Sequence, residues 1–158
     1  MEKSGVVERI GAELATLLVT GSPRDALPST GILFARVFFG VTMIVHHGRP
    51  TLLGFLEDPA GYPDPIGLGP ALSAALMTFA EVICALMVSV GIMTRAFLVP
   101  LIVGFFVAFA IHHAGDPFHR RELAWLYLIL WSSLFITGPG RWSLDHVAFG
   151  RYQRSGQA

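Results

Sequence analysis

The sequence predicts an all-α integral membrane protein: a bundle of four membrane-spanning helices preceded by an amphipathic helix at the membrane interface. Of its 158 residues, 53% are hydrophobic and only 14% are charged. A soluble domain usually has about 25% charged residues, so this chain has too few charges to cover a water-facing surface. The formal net charge is zero, which leaves no basic surface for nucleic acid. The expected environment is therefore a lipid bilayer, and nucleic acid is not an expected partner.

Four apolar stretches have the length that a bilayer crossing requires, about 17–25 residues. They cover residues 31–47, 68–93, 96–114 and 121–137. The last stretch is short, and a Gly-Pro-Gly sequence follows it, where proline prevents the helix from continuing. We therefore expect a transmembrane bundle over residues 31–138, between a segment 1–30 and a segment 139–158.

The first 30 residues predict an amphipathic helix on the membrane surface. Apolar residues recur at helical spacing from Val6 to Leu18, charged residues fill the other face, and Gly21 and Pro23 end the helix. Its polar face mixes acids and bases, whereas a helix held by lipid alone usually has a basic face. Lipid anchoring and docking of a partner subunit therefore remain open as alternatives.

The distribution of basic residues predicts the orientation. Both termini and the loop between the second and third spans lie on one side, which has the larger number of basic residues. These are Lys3, Arg9, Arg24, Arg95, Arg141, Arg151 and Arg154, against Arg49, Arg120 and Arg121 on the other side. The positive-inside rule then places both termini in the cytoplasm and the chain in the inner membrane.

Two ionisable residues lie within the predicted spans, Arg36 in the first and Glu81 near the middle of the second. Ionisable groups within a bilayer are costly and usually face the bundle interior. We predict that Arg36 and Glu81 form a buried ion pair. Such a pair either fixes the packing of the two helices or handles protons or substrate.

Histidines gather at the outer edge of the predicted bundle. The candidate ligand or cofactor residues there are His46, His47, His112, His113 and Glu122. An imidazole beside a carboxylate could hold a quinone carbonyl and transfer protons. Imidazoles on facing helices could instead bind haem iron, or with a carboxylate a zinc, iron or copper ion. In the simplest interpretation, these histidines only connect helix ends to water and headgroups.

The sequence after the last span predicts a re-entry turn. Gly138 and Gly140 relax the backbone, and Pro139 blocks further helix. Ser143 is suited to cap a short helix, with Asp145 in its first turn, where negative charge is favoured. We expect a structural turn, held by this cap and by an ion pair of Asp145 with an arginine on the same side.

The chain resembles the DoxX family of small four-span membrane proteins over about residues 32–146. The similar segments are RVFFGVTMIVHHG from Arg36, EVICALMVSVGIMTR from Glu81 and GPGRWSLD from Gly138. His112 and Glu122 also fall where the family has such residues. One departure is Thr51, at a position three residues after the HG dipeptide where the family often has lysine.

The resemblance implies a role in membrane redox chemistry, since DoxX-like proteins are associated with a thiosulfate:quinone oxidoreductase and with oxidative-stress complexes. We expect an accessory or anchoring subunit of such a complex that contributes to a quinone site at the outer face. The alternatives are a purely structural subunit of a larger membrane complex and a small-molecule transporter. The chain has no phosphate loop, zinc-protease motif or nucleophile elbow, so we do not expect it to be catalytic alone. Its expected partners are lipid and other membrane subunits.

Overall fold

The computed structural model describes residues 26–147, with side chains from Ser29 onward. Helix α1 comprises Ala26–Met43, the π turn Ile44–Gly48 and Arg49–Glu57, and helix α2 comprises Pro70–Thr78, the π turn Phe79–Cys84 and Ala85–Val90. Helix α3 comprises Thr94–Val107 and the π turn Ala108–His112, and helix α4 is Phe118–Thr137. No strand occurs within the described residues, and the all-α prediction is confirmed. The predicted N-terminal surface helix and the tail after residue 147 lie outside the described part of the chain.

Within residues 26–147, three helices are long and apolar enough to cross a membrane: Ser29–Glu57, Pro70–Val90 and Thr94–His112. Helix α4 is not among them, because charged residues occupy its first turns and its apolar part begins at Leu123. It nevertheless packs along α3 and completes the bundle. The protein is thus a multi-pass helical membrane protein, and the fourth crossing remains a prediction.

Helix α1 continues beyond the predicted end of the first span at His47 and reaches Glu57. Gly48 and Pro50 resemble a helix stop in the sequence, but Gly48 has helical backbone angles of φ −61° and ψ −41°. A π turn precedes Pro50 and changes the local hydrogen-bond pattern, so the missing proline N–H is tolerated there.

Helices α1 and α2 run antiparallel and approach closely at two glycines. A Cβ added to Gly40 would collide with the Ser89 hydroxyl, and one added to Gly48 would lie 2.9 Å from the Glu81 carbonyl oxygen. Small residues allow this close approach of helices in membranes. These two contacts fix the register, with Gly40 opposite Ser89 and Gly48 opposite Glu81.

This register corrects the prediction of an Arg36–Glu81 ion pair. Arg36 lies one turn before Gly40, whereas Glu81 lies beside Gly48. The two side chains are therefore separated by about 12 residues of α1, or roughly 18 Å at a rise of 1.5 Å per residue. Each makes its hydrogen bonds with other partners.

The core lies where all four helices meet. Its fully buried side chains include Met43, Cys84, Val88, Leu98, Leu101 and Trp131. Aromatic rings extend this core toward α3: Tyr127 lies 5.8 Å from Trp131 and 5.2 Å from Phe105, measured between ring centroids. Outside this core, many large aliphatic side chains of the helices are exposed. In a bilayer these side chains face lipid.

Candidate functional site

Arg36 is the centre of a polar cluster where α2 ends and α3 begins. Its side chain is fully buried. It donates hydrogen bonds to the carbonyl oxygens of Val88, at 3.3 Å, and Trp142, at 2.8 Å. Gly91 ends α2 with a φ of +83°, and a Cβ there would collide with the Arg36 guanidinium. The arginine therefore binds two stretches of backbone and leaves no room for a side chain at position 91. We call Arg36, Gly91, Thr94, Ser143 and Asp145 the Arg36 cluster.

Asp145 joins the C-terminal turn to the start of α3. Its carboxylate accepts hydrogen bonds from the backbone N–H of Met93 at 2.7 Å and of Thr94 at 2.9 Å, and from the Thr94 hydroxyl at 2.9 Å. Burial acts to raise the pKa of Asp145, but the bonds from Thr94 and Met93 and the charge of Arg36 outweigh it and lower that pKa. Its hydrogen bonds thus go to a helix N-terminus rather than to an arginine, which corrects the predicted ion pair.

Ser143 takes the cap position expected from the sequence. Its hydroxyl donates to the carbonyl oxygen of Gly140 at 2.8 Å and accepts from the N–H of His146 at 3.1 Å. Gly138 and Gly140 have φ values of +80° and +73°, a region that favours glycine. Pro139 lies between them. The segment therefore returns to the end of the bundle as a structural turn.

Glu81 is the buried acid of the bundle, with 4% of its surface exposed. It lies in the π turn of α2 and accepts a hydrogen bond from the Thr51 hydroxyl at 2.7 Å. Thr51 is the position at which the chain departs from the lysine of the resembled family. This contact was not predicted, because the first span was expected to end at His47, before residue 51.

Two tyrosines surround Glu81. Tyr62 lies in the loop between α1 and α2, and burial together with the charge of Glu81 raises the pKa of Tyr62 to about 12. Tyr127, on α4, is also within electrostatic range of Glu81. The His47 ring packs nearly perpendicular to the Tyr127 ring at 5.5 Å. We call His47, Thr51, Tyr62, Glu81 and Tyr127 the Glu81 cluster, which draws on α1, the loop after it, α2 and α4.

A cleft of about 300 Å³ opens between α2 and α3 next to this cluster. Its walls are mostly apolar, with Met77, Val103 and Val107 among them, and Tyr62, Ser73 and His112 are its polar groups. Pockets with such an apolar lining and few polar groups are typical of sites for small apolar ligands. We call this feature the α2–α3 cleft.

The loop that borders the cleft is fixed by Asp64. Its carboxylate accepts hydrogen bonds from the N–H of Leu68 at 3.0 Å, the N–H of Gly69 at 2.8 Å and the hydroxyl of Ser73 at 2.9 Å. Desolvation acts to raise the pKa of Asp64, but these bonds lower it overall. Asp64 therefore holds the loop against the first turn of α2.

The histidines predicted as one site have different surroundings. His47 packs on Tyr127, while His112 lines the cleft and meets the His113 ring edge to face, with 4.5 Å between the ring centroids. His113 binds the Asp116 carboxylate at 2.7 Å, and this bond is the main reason why the pKa of Asp116 is lowered. His46 and Glu122 are exposed. Within the described residues, no group of three or more His, Cys, Asp or Glu side chains is arranged to hold a metal ion.

The three π turns all carry polar residues named above. The π turn of α1 contains His46 and His47, that of α2 contains Glu81, and that of α3 contains His112. Such turns are rare and occur frequently at functional sites. They widen the helices in the half of the bundle that contains the Glu81 cluster and the cleft.

The fold and this arrangement define a small multi-pass helical membrane protein with a buried acid beside an apolar cleft. A family model described as DoxX matches residues 31–114, which is more than half of the chain. The chain therefore belongs to the DoxX family. The match includes Arg36, Glu81 and His112 but ends before Glu122 and the Gly138–Asp145 turn. No curated protein and no solved structure was found to match the chain.

Proposed function

We propose that the protein is an accessory subunit of a membrane redox complex and binds the ring of a quinone in the α2–α3 cleft. The observation that supports this most directly is the composition of the cleft, an apolar space of about 300 Å³ with polar groups from three elements. A quinone presents two carbonyl oxygens on a flat apolar ring, so it needs an apolar slot with few hydrogen-bond donors.

Two side chains are suited to meet the quinone carbonyls. Neutral imidazole can donate a hydrogen bond, and His112 is exposed at the cleft. The phenol of Tyr62 is a second donor, and its raised pKa of about 12 keeps it protonated at physiological pH. The Ser73 hydroxyl already donates to Asp64, so we assign it to the loop rather than to the ligand.

The proposal includes an orientation and a partner. With both termini in the cytoplasm of an inner-membrane protein, the cleft lies near the outer face. The redox centre itself then belongs to another subunit, and this chain binds the quinone near it. A transporter role has no comparable support, since the cleft is confined to the space between two helices.

The test is the quinone content of the protein purified in mild detergent, measured by mass spectrometry of the extracted lipid. We expect quinone in the wild type and several-fold less in His112→Ala, which loses the imidazole donor. His119→Ala is the matched control, because His119 is exposed and does not line the cleft. Ala108→Phe should also reduce the content by filling the cleft, while Leu123→Phe on the exposed face of α4 should not.

Equal quinone content in His112→Ala, Ala108→Phe and the two controls would refute the cleft as the binding site. Copurification addresses the accessory role. We expect a redox subunit to copurify with the full-length chain and to be lost when residues 1–20 are deleted. Normal complex activity in the cleft variants, together with loss of assembly in the deletion, would instead favour the purely structural subunit.

A further inference from the structure

The environment of Glu81 points to a property that does not depend on the ligand of the cleft. The side chain lies in the bundle interior with 4% exposure, and Cys84 of the same π turn is a fully buried core residue. Gly48 lies against its backbone so closely that a Cβ would not fit. Helices α1 and α2 are therefore in close backbone contact at Glu81.

No cation balances a charge on Glu81 within the described residues. The buried Arg36 is roughly 18 Å away along α1 and donates its hydrogen bonds to the carbonyl oxygens of Val88 and Trp142. The ion pairs found in the described residues involve Asp116 instead. An unpaired carboxylate in an apolar interior is costly, and the usual response is to take up a proton.

The groups that face Glu81 are neutral or can be neutral. From α1 this is Thr51, from the loop Tyr62, and from α4 Tyr127, on whose ring His47 packs. Helix α3 contributes the apolar Phe105 at this level. His47 is the one nearby group among these that could become a cation, and only by taking a proton itself.

We infer that Glu81 is a proton-exchange site: its buried carboxyl holds a proton in the resting protein and exchanges it with water at the cleft end of the bundle, where Tyr62 lies. Tyr62 both lines the cleft and lies within electrostatic range of Glu81, so it connects the two. The proton passes to or from water, and no oxidant or reductant is involved. This inference stands whether or not the cleft binds quinone.

The test uses dicyclohexylcarbodiimide, a hydrophobic reagent that modifies carboxyl groups in their protonated form within apolar surroundings. The full-length protein in detergent is treated over a series of pH values, and the modified peptides are identified by mass spectrometry. We expect modification of Glu81 that decreases as the pH rises, and none at this site in Glu81→Gln. Glu122, which is exposed, should react instead with a water-soluble carbodiimide.

Thr51→Lys makes the test specific to charge. Since the Thr51 hydroxyl is 2.7 Å from the carboxyl, a lysine there supplies the missing cation. An opposite charge within about 4–6 Å favours the ionised carboxylate, so modification of Glu81 should decrease roughly tenfold or more. Thr51→Met is the control of similar size without the charge, and it should remain fully reactive.

Two results would overturn the inference. One is an unreactive Glu81 in the wild type at every pH tested. The other is equal reactivity in Thr51→Lys and Thr51→Met. In the first case His47→Ala identifies the cause, because reactivity that appears in this variant would show that the proton resides on His47 in an ion pair with Glu81. None of these results depends on quinone, so failure here and failure of the cleft proposal can be distinguished.

Discussion

Within residues 29–147 the bundle buries one cationic and one anionic side chain, Arg36 and Glu81, and the two are stabilised in different ways. Arg36 donates to the carbonyl oxygens of Val88 and Trp142, at an end of the bundle where helix termini expose such oxygens. Glu81 lies within a helix, where backbone donors are already used, and its hydrogen bond comes from Thr51. Arg36 is thus stabilised by backbone carbonyl dipoles and by the nearby charge of Asp145, whereas no cation balances Glu81 within the described residues.

This difference separates a structural end from an end suited to function. The Arg36 cluster connects α1, α2, α3 and the C-terminal turn through hydrogen bonds of Arg36, Asp145 and Ser143. The Nε atom of Arg36 is buried without a hydrogen-bond partner in the described residues. The Glu81 cluster has a buried acid without a cation, two tyrosines and an adjacent cleft. Substitutions in the first cluster should therefore affect stability, and substitutions in the second should affect protons and ligands.

The largest loss of stability is expected from Arg36→Leu. It leaves the carbonyl oxygens of Val88 and Trp142 without their donor in a buried site, which costs about 1–3 kcal/mol for each group. We expect a total of about 4 kcal/mol in the free energy of unfolding, measured by denaturant titration in detergent. Arg49→Leu, at an exposed position of the same helix, is the control and should change stability little. A similar loss in both variants would contradict the assigned role.

Gly91→Ala should be the next most destabilising substitution, at about 3 kcal/mol. The added methyl group would collide with Arg36 and lie 2.8 Å from the Ser143 Cβ, and the φ of +83° is strained for alanine. The same titration measures it. Gly54→Ala is the matched control: no atom lies within 4 Å of its added Cβ, and alanine favours the helix. An unchanged free energy of unfolding in Gly91→Ala would contradict the close packing of Gly91 against Arg36 and Ser143.

Asp145→Asn should cost about 1–2 kcal/mol at neutral pH, since one of the two accepting oxygens becomes an NH2 group and the negative charge is lost. The pKa of Asp145 is lowered in the folded state. Its stabilisation is therefore fully present above the ordinary aspartate pKa of about 3.9 and is lost as the pH falls through the lowered value. The difference in unfolding temperature between the wild type and Asp145→Asn should therefore decrease on acidification, as measured by thermal unfolding at several pH values. A difference that does not change with pH would contradict a stabilising role for the charge of Asp145 at the start of α3.

Glu81→Gln should have the smallest effect, within about 1 kcal/mol, because an amide resembles a protonated carboxyl in size and polarity. The comparison with Arg36→Leu is made in one titration series at neutral pH. A large loss would indicate a partner that only a carboxylate can satisfy. A large gain would indicate that the wild type carries an unpaired charge. Either result would contradict the proton-holding role.

The sequence predicts the helical bundle well because its apolar stretches are long and have few charges. It also places the Ser143 cap, whose partners are close in sequence. Contacts between helices were harder to predict, since they depend on register. The prediction of an Arg36–Glu81 ion pair was wrong because the contacts at Gly40 and Gly48 set the register between α1 and α2. The sequence of either helix alone does not reveal this register.

The histidine prediction shows a related limit. A shared depth in the membrane places His47, His112 and Glu122 near one level but does not say which way each side chain points. The π turns rotate the helix faces there, and they are difficult to infer from periodicity alone. Thr51 became a partner of Glu81 only because α1 continues past Gly48.

The most direct test of the central claim is infrared difference spectroscopy of the wild type against Glu81→Gln at neutral pH. A protonated carboxyl has a C=O stretching band that a carboxylate lacks. We predict that this band is present in the wild type, absent in Glu81→Gln and retained in Glu122→Gln. A wild-type spectrum that lacks the band, with only a carboxylate signal lost in Glu81→Gln, would show that Glu81 is ionised and would contradict the account.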